Sequence, residues 1–313
     1  MAEVPGDFWL LAVGLVLAVS ARRLVRWVLE PLTAARSRRA FAAVDARERE
    51  AWAAAHGGGD VHLSVVVPAY NEALRITPML EALAEYLEGR AAADAAFTHE
   101  VIVVDDGSTD GTAAVARSFG DRRLGGALRV AALARNRGKG GAVREGALRA
   151  RGAWVLIADA DGATRAADHA RLEDAATSAG ADVVVGSRAH LVDTDAVARR
   201  SPLRNALMRG FHLLVTVVGG VRGVKDTQCG FKLLSRRAAR IAFPALHIER
   251  WAFDVELLYI ATTCGCRVVE VPVTWREVPG SKIDIAADSL QMARDIACVR
   301  LAYLTGHWKL PTP

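Results

Sequence analysis

A chain of 313 residues with 52% hydrophobic content has apolar material for one large α/β domain or two small ones, which excludes disorder. The formal net charge of +5 is accounted for by Arg22, Arg23, Arg26, Arg36, Arg38 and Arg39 against Glu30, so everything else is neutral on balance. Basic residues gathered directly after an apolar segment, and not striped over the folded part, argue against a nucleic-acid partner and for a membrane surface.

From the N-terminus, Phe8 to Ala21 is an uninterrupted apolar or small stretch. As a helix it falls short of a ~30 Å hydrocarbon core, but it reaches across if extended to Leu29 with its arginines snorkelling. A cleaved signal peptide is the other reading, with Ala18-Val19-Ser20 as the small-residue site. The charge order favours an anchor over residues 1–30: Glu3 and Asp7 lead and the arginines follow, which keeps the body of the protein cytosolic. Residues 33–56 alternate Ala, Arg and Glu, as in a juxtamembrane helix, and Gly57-Gly58-Gly59 ends it as a linker, so 31–59 connects to a folded domain starting at 60.

Within that domain, strand, loop and helix alternate. Val61 to Val67 is a buried strand ending in Pro68-Ala69-Tyr70-Asn71-Glu72, and Leu74 to Leu87 has helical spacing. Val101 to Val104 leads into Asp105-Asp106-Gly107-Ser108-Thr109-Asp110-Gly111-Thr112. Leu128 to Leu133 leads into Arg135-Asn136-Arg137-Gly138-Lys139-Gly140-Gly141 and a helix. Trp154 to Ala158 ends at two carboxylates, Asp159 and Asp161, and Asp182 to Val185 ends in Gly186-Ser187-Arg188. This order predicts an α/β fold, a mostly parallel sheet with helices on both faces, and collects the unusual residues along one sheet edge.

Paired carboxylates two residues apart suit a hard divalent ion, Mg²⁺ or Mn²⁺. They read equally as a helix cap and a solvated turn, or as the start of an aspartate-nucleophile phosphatase motif, although Ala163 stands where that motif has Thr or Val. Gly138-Lys139-Gly140-Gly141 fails the Walker spacing, yet its backbone could cradle a diphosphate with Lys139 as a point charge. Cys229, Cys264, Cys266 and Cys298 make no zinc or disulfide framework and read as reduced packing thiols in a cytosolic setting; the absence of an N-x-S/T site agrees.

Taken together, PAYNE at 68–72, DDGSTDGT at 105–112, NRGKGGAV at 136–143, DADGAT at 159–164 and GSR at 186–188 resemble the family 2 glycosyltransferases of GT-A (Rossmann-like) fold. DTQCGFK at 226–232, RWAFDVEL at 250–257 and VPVTWREVPGSK at 271–282 closely resemble the dolichyl-phosphate β-glucosyltransferases within that family. The likeness covers about residues 60–306 and an N-terminal anchor of the family's type. It implies UDP-glucose as donor, dolichyl phosphate as acceptor and inversion to a β-linked product, on the cytosolic face of the endoplasmic reticulum membrane. Another sugar donor such as GDP-mannose, or a nucleotide-sugar-binding protein without turnover, are the alternatives.

In that light, Asp161 and Asp159 are the metal residues, with Asp159 also turned toward sugar or ribose. Pro68, Ala69, Tyr70, Glu72, Asp105 and Asp106 would hold uracil and ribose, and Gly138 and Lys139 the diphosphate. A phosphate monoester acceptor has a second pKa of roughly 6 and is its own nucleophile at neutral pH, so the site should hold cations, with Arg188, Lys232 and Lys282 as candidates. Each also reads as a surface salt bridge. Asp254 occupies the place of the usual base; orienting the glucose hydroxyls or a cation is its leading role and base action the lesser, with Asp226 similar.

The lipid acceptor requires a membrane-facing side. Leu203, Leu207, Phe211, Leu214, Val215 and Val218 share one helical face flanked by Arg200, Arg204 and Arg209, which predicts an interfacial helix at about 201–218 inside a 60–282 catalytic domain. Ile285, Met292, Ile296, Val299 and Leu304 form a second stripe on a C-terminal amphipathic helix within 283–313. Core packing is the competing reading of both.

Overall fold

A computed structural model describes residues 47, 49–54, 59–191, 215–216, 219–221, 223–280 and 285–311. The expected anchor at 1–30, most of the juxtamembrane helix, most of the 201–218 helix and Lys282 lie outside the described residues. No helix among the described residues is long and apolar enough to cross a membrane.

Seven strands form one sheet: β1 (Val61–Ala69), β2 (His99–Asp105), β3 (Leu128–Ala132), β4 (Gly152–Ala158), β5 (Val183–Ser187), β6 (Phe231–Ser235) and β7 (Val268–Pro272). Their order is β3-β2-β1-β4-β6-β5-β7. All neighbours pair in parallel except β6, which lies antiparallel between β4 and β5. The fold is therefore the GT-A-like α/β arrangement with a mixed, mostly parallel sheet. The sequence reading did not assign β6 or β7 as strands: FKLLS carries a lysine in its middle, and VVEVP a glutamate and a proline.

The period-2 alternation of the strands divides the core. Val66, Ile102, Val104, Val155 and Ile157 face α3 (Lys139–Ala147), α5 (Arg236–Ala245), α6 (Phe253–Thr263) and α7 (Ile285–Leu304). Leu63, Val65, Val67, Val101, Val103 and Leu156 face α1 (Ile76–Ala93), α2 (Thr112–Phe119) and α4 (His169–Ala179). All four cysteines are buried and free. On α7 the predicted stripe is divided: Ile296 and Val299 are fully buried and Met292 is partly buried against the core, which is the core reading, whereas Leu304 is exposed, as are Leu290 and Leu301 outside the stripe. The helix is pinned by Trp308, which stacks on His247 at 4.1 Å, and by the Tyr303 hydroxyl donating to Glu256.

Candidate active site

The loops that leave β1, β2, β3 and β4 meet at the carboxyl edge of the sheet and are stitched to one another by short side chains. Asn71, at φ +51°, donates its backbone N–H to Ser108 Oγ, and its side-chain oxygen accepts the Thr109 N–H. The Glu72 N–H donates to Thr112 Oγ1, while its carboxylate takes a two-point contact from Arg75 at 2.6 and 2.7 Å. Arg75 reaches on to the Pro279 carbonyl. Tyr70 is exposed at this edge, and Asp105 is buried, accepting the Ser108 N–H.

Asp106 is tied to the next loop. Its two oxygens accept the Arg137 and Gly138 N–H groups at 2.7 and 2.8 Å, and burial, partly offset by those bonds, pushes its carboxyl up to about 6. Gly138 therefore spends its donor inside the protein, and Gly141 donates to the Glu249 carbonyl at 2.9 Å. A diphosphate cradle of the expected kind loses two of its N–H groups. The glycines serve close approach instead: a Cβ on Gly138, at φ +88°, would come 2.6 Å from the Glu249 carbonyl, and one on Gly140 would strike Phe253 and the Ile248 carbonyl. What the loop delivers is Lys139, at the first turn of α3, onto Asp159 at 2.7 Å.

A row of alternating charge follows. Asp161 lies two residues beyond Asp159 and accepts the Ala163 N–H; burial, then the Asp159 charge, push its carboxyl up. Burial pulls the Lys139 ammonium down, but Asp159 and Asp254 outweigh it and the net shift is upward. Asp254, in the first turn of α6, sits 2.6 Å from Lys232, and both side chains are almost completely out of solvent. Burial pushes Asp254 up against the opposing pull of Lys232 and Lys139. Lys232 also donates to the Cys229 carbonyl, so the ammonium expected at an acceptor phosphate is enclosed beneath the site.

Arg188 leaves β5 and is gripped by Asp226, through Nε at 2.7 Å and Nη2 at 2.8 Å, with Trp275 5.5 Å from the guanidinium carbon. Burial raises the Asp226 carboxyl, but the Arg188 contacts outweigh it and hold it low. Trp275 is placed by a strip in which Arg165 donates to the Thr274 carbonyl and Arg276 to the Ala163 carbonyl. A cleft of about 710 Å³ opens beside this strip, lined among others by Met79, Tyr86, Asp159, Asp161, Phe231 and Arg276.

Residues 64–240 match Glycosyl transferase family 2. A dolichyl-phosphate beta-glucosyltransferase of Mus musculus is 50% identical over 253 residues, 79% of this chain and 78% of that protein. One of Dictyostelium discoideum is 48% identical over 254 residues, 80% of this chain and 77% of that protein. The chain belongs to the dolichyl-phosphate beta-glucosyltransferases of glycosyl transferase family 2. Its fold is shared with glucosyl-3-phosphoglycerate synthase from Mycobacterium tuberculosis, solved with uridine diphosphate, at 20% identity and a TM-score of 0.52, covering 80% of this chain and 83% of that one.

In this family 2 chain, the structure brings Asp159, Asp161, Lys139, Asp254 and Lys232 into one cluster and joins Arg188 to Asp226 beside it. Gly230 was not singled out from the sequence, although it lies in the 226–232 motif. A Cβ there would overlap the Asp159 carboxylate, so the glycine lets the start of β6 pass against the end of β4. Glu145 was missed as well: it is buried on α3 and contacted by several arginines.

Proposed function

We propose that this chain transfers glucose from UDP-glucose to dolichyl phosphate with inversion, giving dolichyl β-D-glucosyl phosphate, the lipid-linked sugar donor for N-glycan precursor assembly. The observation that carries this reading is the Asp161–Asp159–Lys139 cluster at the end of β4, in a chain of this family. The donor side is assigned to Pro68, Ala69, Tyr70, Glu72 and Asp105 at the ends of β1 and β2, with Lys139 at the diphosphate. Asp106 acts behind them, by holding the loop that carries Lys139.

The carboxylate pair fits a divalent ion, Mg²⁺ or Mn²⁺. Lys139 neutralises Asp159, while burial and then the Asp159 charge push the Asp161 carboxyl up, a strain that a cation at Asp161 and Asp159 would relieve. Among the described residues no group of three His, Cys, Asp or Glu could hold a metal alone, so the other ligands would be diphosphate oxygens, as Mg²⁺ commonly takes them. Bound there, the ion would stabilise the charge growing on the leaving diphosphate.

Lys139 supplies a second, permanent positive charge to the same oxygens. The acceptor phosphate is largely dianionic near neutral pH and attacks the anomeric carbon without losing a proton to the protein. Arg188, fixed by Asp226 and Trp275, is the cation we assign to that phosphate, with Lys282 as a second. The burial of Asp254 against Lys232 supports an orienting role for both. Residues 1–30 anchor the chain in the endoplasmic reticulum membrane, and residues 60–282 work on the cytosolic side; the apolar run followed by arginines supports this orientation.

Product analysis with radiolabelled UDP-glucose and dolichyl phosphate tests the reading. Label is expected in an acid-labile lipid. GDP-mannose serving better than UDP-glucose would move the donor assignment, label retained on protein without product would make it a binder, and phosphate release would make it a phosphatase.

A further inference from the structure

Away from the carboxylate row, Glu145 is a carboxylate enclosed by arginines. Its oxygens lie 2.5 Å from Arg149 Nη1, 3.0 Å from Arg137 Nη1, 3.3 Å from Arg49 Nη1 and 3.6 Å from Arg144 Nη1, and its side chain is 1% exposed. Arg137, Arg144 and Arg149 belong to α3 and its flanks. Arg49 comes from the segment before the catalytic domain, where residues 49–54 are helical. Trp52 of the same segment packs on the core, with its ring 5.7 Å from the Arg149 guanidinium carbon. The N-terminal segment is thus docked on α3 at two points.

The other side of the cluster leads to the site. Arg137 divides its guanidinium, giving Nη1 to Glu145 and Nε and Nη2 to Glu249 at 3.1 and 2.7 Å. The Glu249 carbonyl accepts the Gly141 N–H and lies where a side chain on Gly138 would be. Arg137 and Gly138 also give their N–H groups to Asp106. Glu145 and Lys139 share α3 six residues apart, about 9 Å along the helix axis. Any change in how Arg137 divides between Glu145 and Glu249 therefore acts on the turn that aims Lys139.

We propose that Arg49 and Trp52 of the N-terminal segment are positioning residues for donor binding, acting through Glu145, Arg137 and Glu249 on the Gly138–Gly141 loop that carries Lys139. Removing Arg49 leaves the buried Glu145 short of one cation, and Arg137, already shared between Glu145 and Glu249, makes up the deficit at the expense of Glu249. The segment that ties the domain to its N-terminal anchor is then part of the donor-site support, and not only a tether. The proposal rests on the reading of Lys139 as a diphosphate contact.

The test uses the full chain and its variants Arg49→Ala, Trp52→Ala and Arg49→Lys. Amide hydrogen exchange follows Arg137, Gly138 and Gly141, whose N–H groups make the bonds in question, with Val65 to Val67 of β1 as reference. About tenfold faster exchange is expected at the three loop amides in both alanine variants, with β1 unchanged and with partial recovery in Arg49→Lys. The KM for UDP-glucose should rise several-fold while that for dolichyl phosphate stays put; loss of folded protein alone would lower kcat and move neither KM. Unchanged loop exchange, or an equal rise in β1, overturns the coupling. Faster loop exchange with an unaltered KM for UDP-glucose leaves the coupling standing and removes Lys139 from the diphosphate.

Discussion

The Asp254 carboxylate meets the Lys232 ammonium at 2.6 Å in a place that water barely reaches, and the charge of Lys139 acts on the same carboxylate. A group so enclosed is badly placed to take a proton from an incoming acceptor. It is well placed to hold two cations in register.

Asp254→Asn should therefore act first on stability. It leaves Lys232 buried without its counter-ion, and breaking a buried pair by removing one partner costs about 3–5 kcal/mol. Thermal unfolding should show a large drop in Tm, most of it recovered when Lys232→Met is added. At low temperature, where the single variant stays folded, the acidic limb of the rate should persist near pH 6, following the acceptor phosphate. A loss of about 10²–10⁴ with that limb gone would assign base action to Asp254.

Asp161→Ala is expected to do the reverse, sparing the fold and removing transfer. Its carboxylate is raised by burial and by the Asp159 charge, so deleting it relieves repulsion and Tm should hold or rise slightly. Loss of a main electrostatic stabiliser should cost about 10²–10³ in kcat. Near-normal turnover in saturating Mg²⁺ or Mn²⁺ would take Asp161 out of the metal site.

At Gly230 a single methyl group probes the crossing of β4 and β6. Gly230→Ala drives the Asp159 carboxylate off its position and off Lys139. A fall of at least about tenfold in kcat/KM for UDP-glucose is expected, with circular dichroism unchanged. Wild-type kinetics would mean that Asp159 can move without consequence.

Asp106 offers a pH signature. Its folded pKa of about 6 lies above the ordinary carboxyl value, so the folded state binds this proton more tightly than the unfolded chain does. The associated stability is present below about pH 4 and lost as pH rises through 6, a change of roughly 3 kcal/mol for about two pKa units. Asp106→Asn has no such slope. The Tm of the variant relative to wild type should climb between pH 4 and 7; parallel Tm curves would show that Asp106 titrates normally.

Much of this was readable in the sequence, and the reasons for the gaps are physical. Five strands announced themselves as apolar runs, and their trailing loops had to share one edge once the alternation was parallel. Phe231–Ser235 hid because a buried strand with a lysine in it is stable only if a carboxylate distant in sequence comes to meet it, and Asp254 is 22 residues away. The bonds from the Asp106 carboxylate to the Arg137 and Gly138 N–H groups join residues 31 and 32 positions apart, which spacing alone does not bring together. Ile296 and Val299 had the spacing of an interfacial stripe, which periodicity cannot tell from a core-facing one.

The reversed strand β6 has a consequence for how such a molecule can change. The chain leaves the sheet at Ser187 and re-enters it at Phe231 on the same edge, because β5 and β6 run in opposite directions. Ser187 and Phe231 therefore lie close together at the edge that carries the carboxylates, and the described residues just before Phe231 are tied back to β7 through the Lys225 and Asp226 N–H groups on Glu270. Any exchange of the chain between those two points has to keep Val215, Val221 and Val224, which are buried in the core, Asp226, which holds Arg188, and Gly230, which makes room for Asp159. A reversed strand thus gives the chain two neighbouring exit and entry points on one edge, so a change of length between them need not shift the register of either strand.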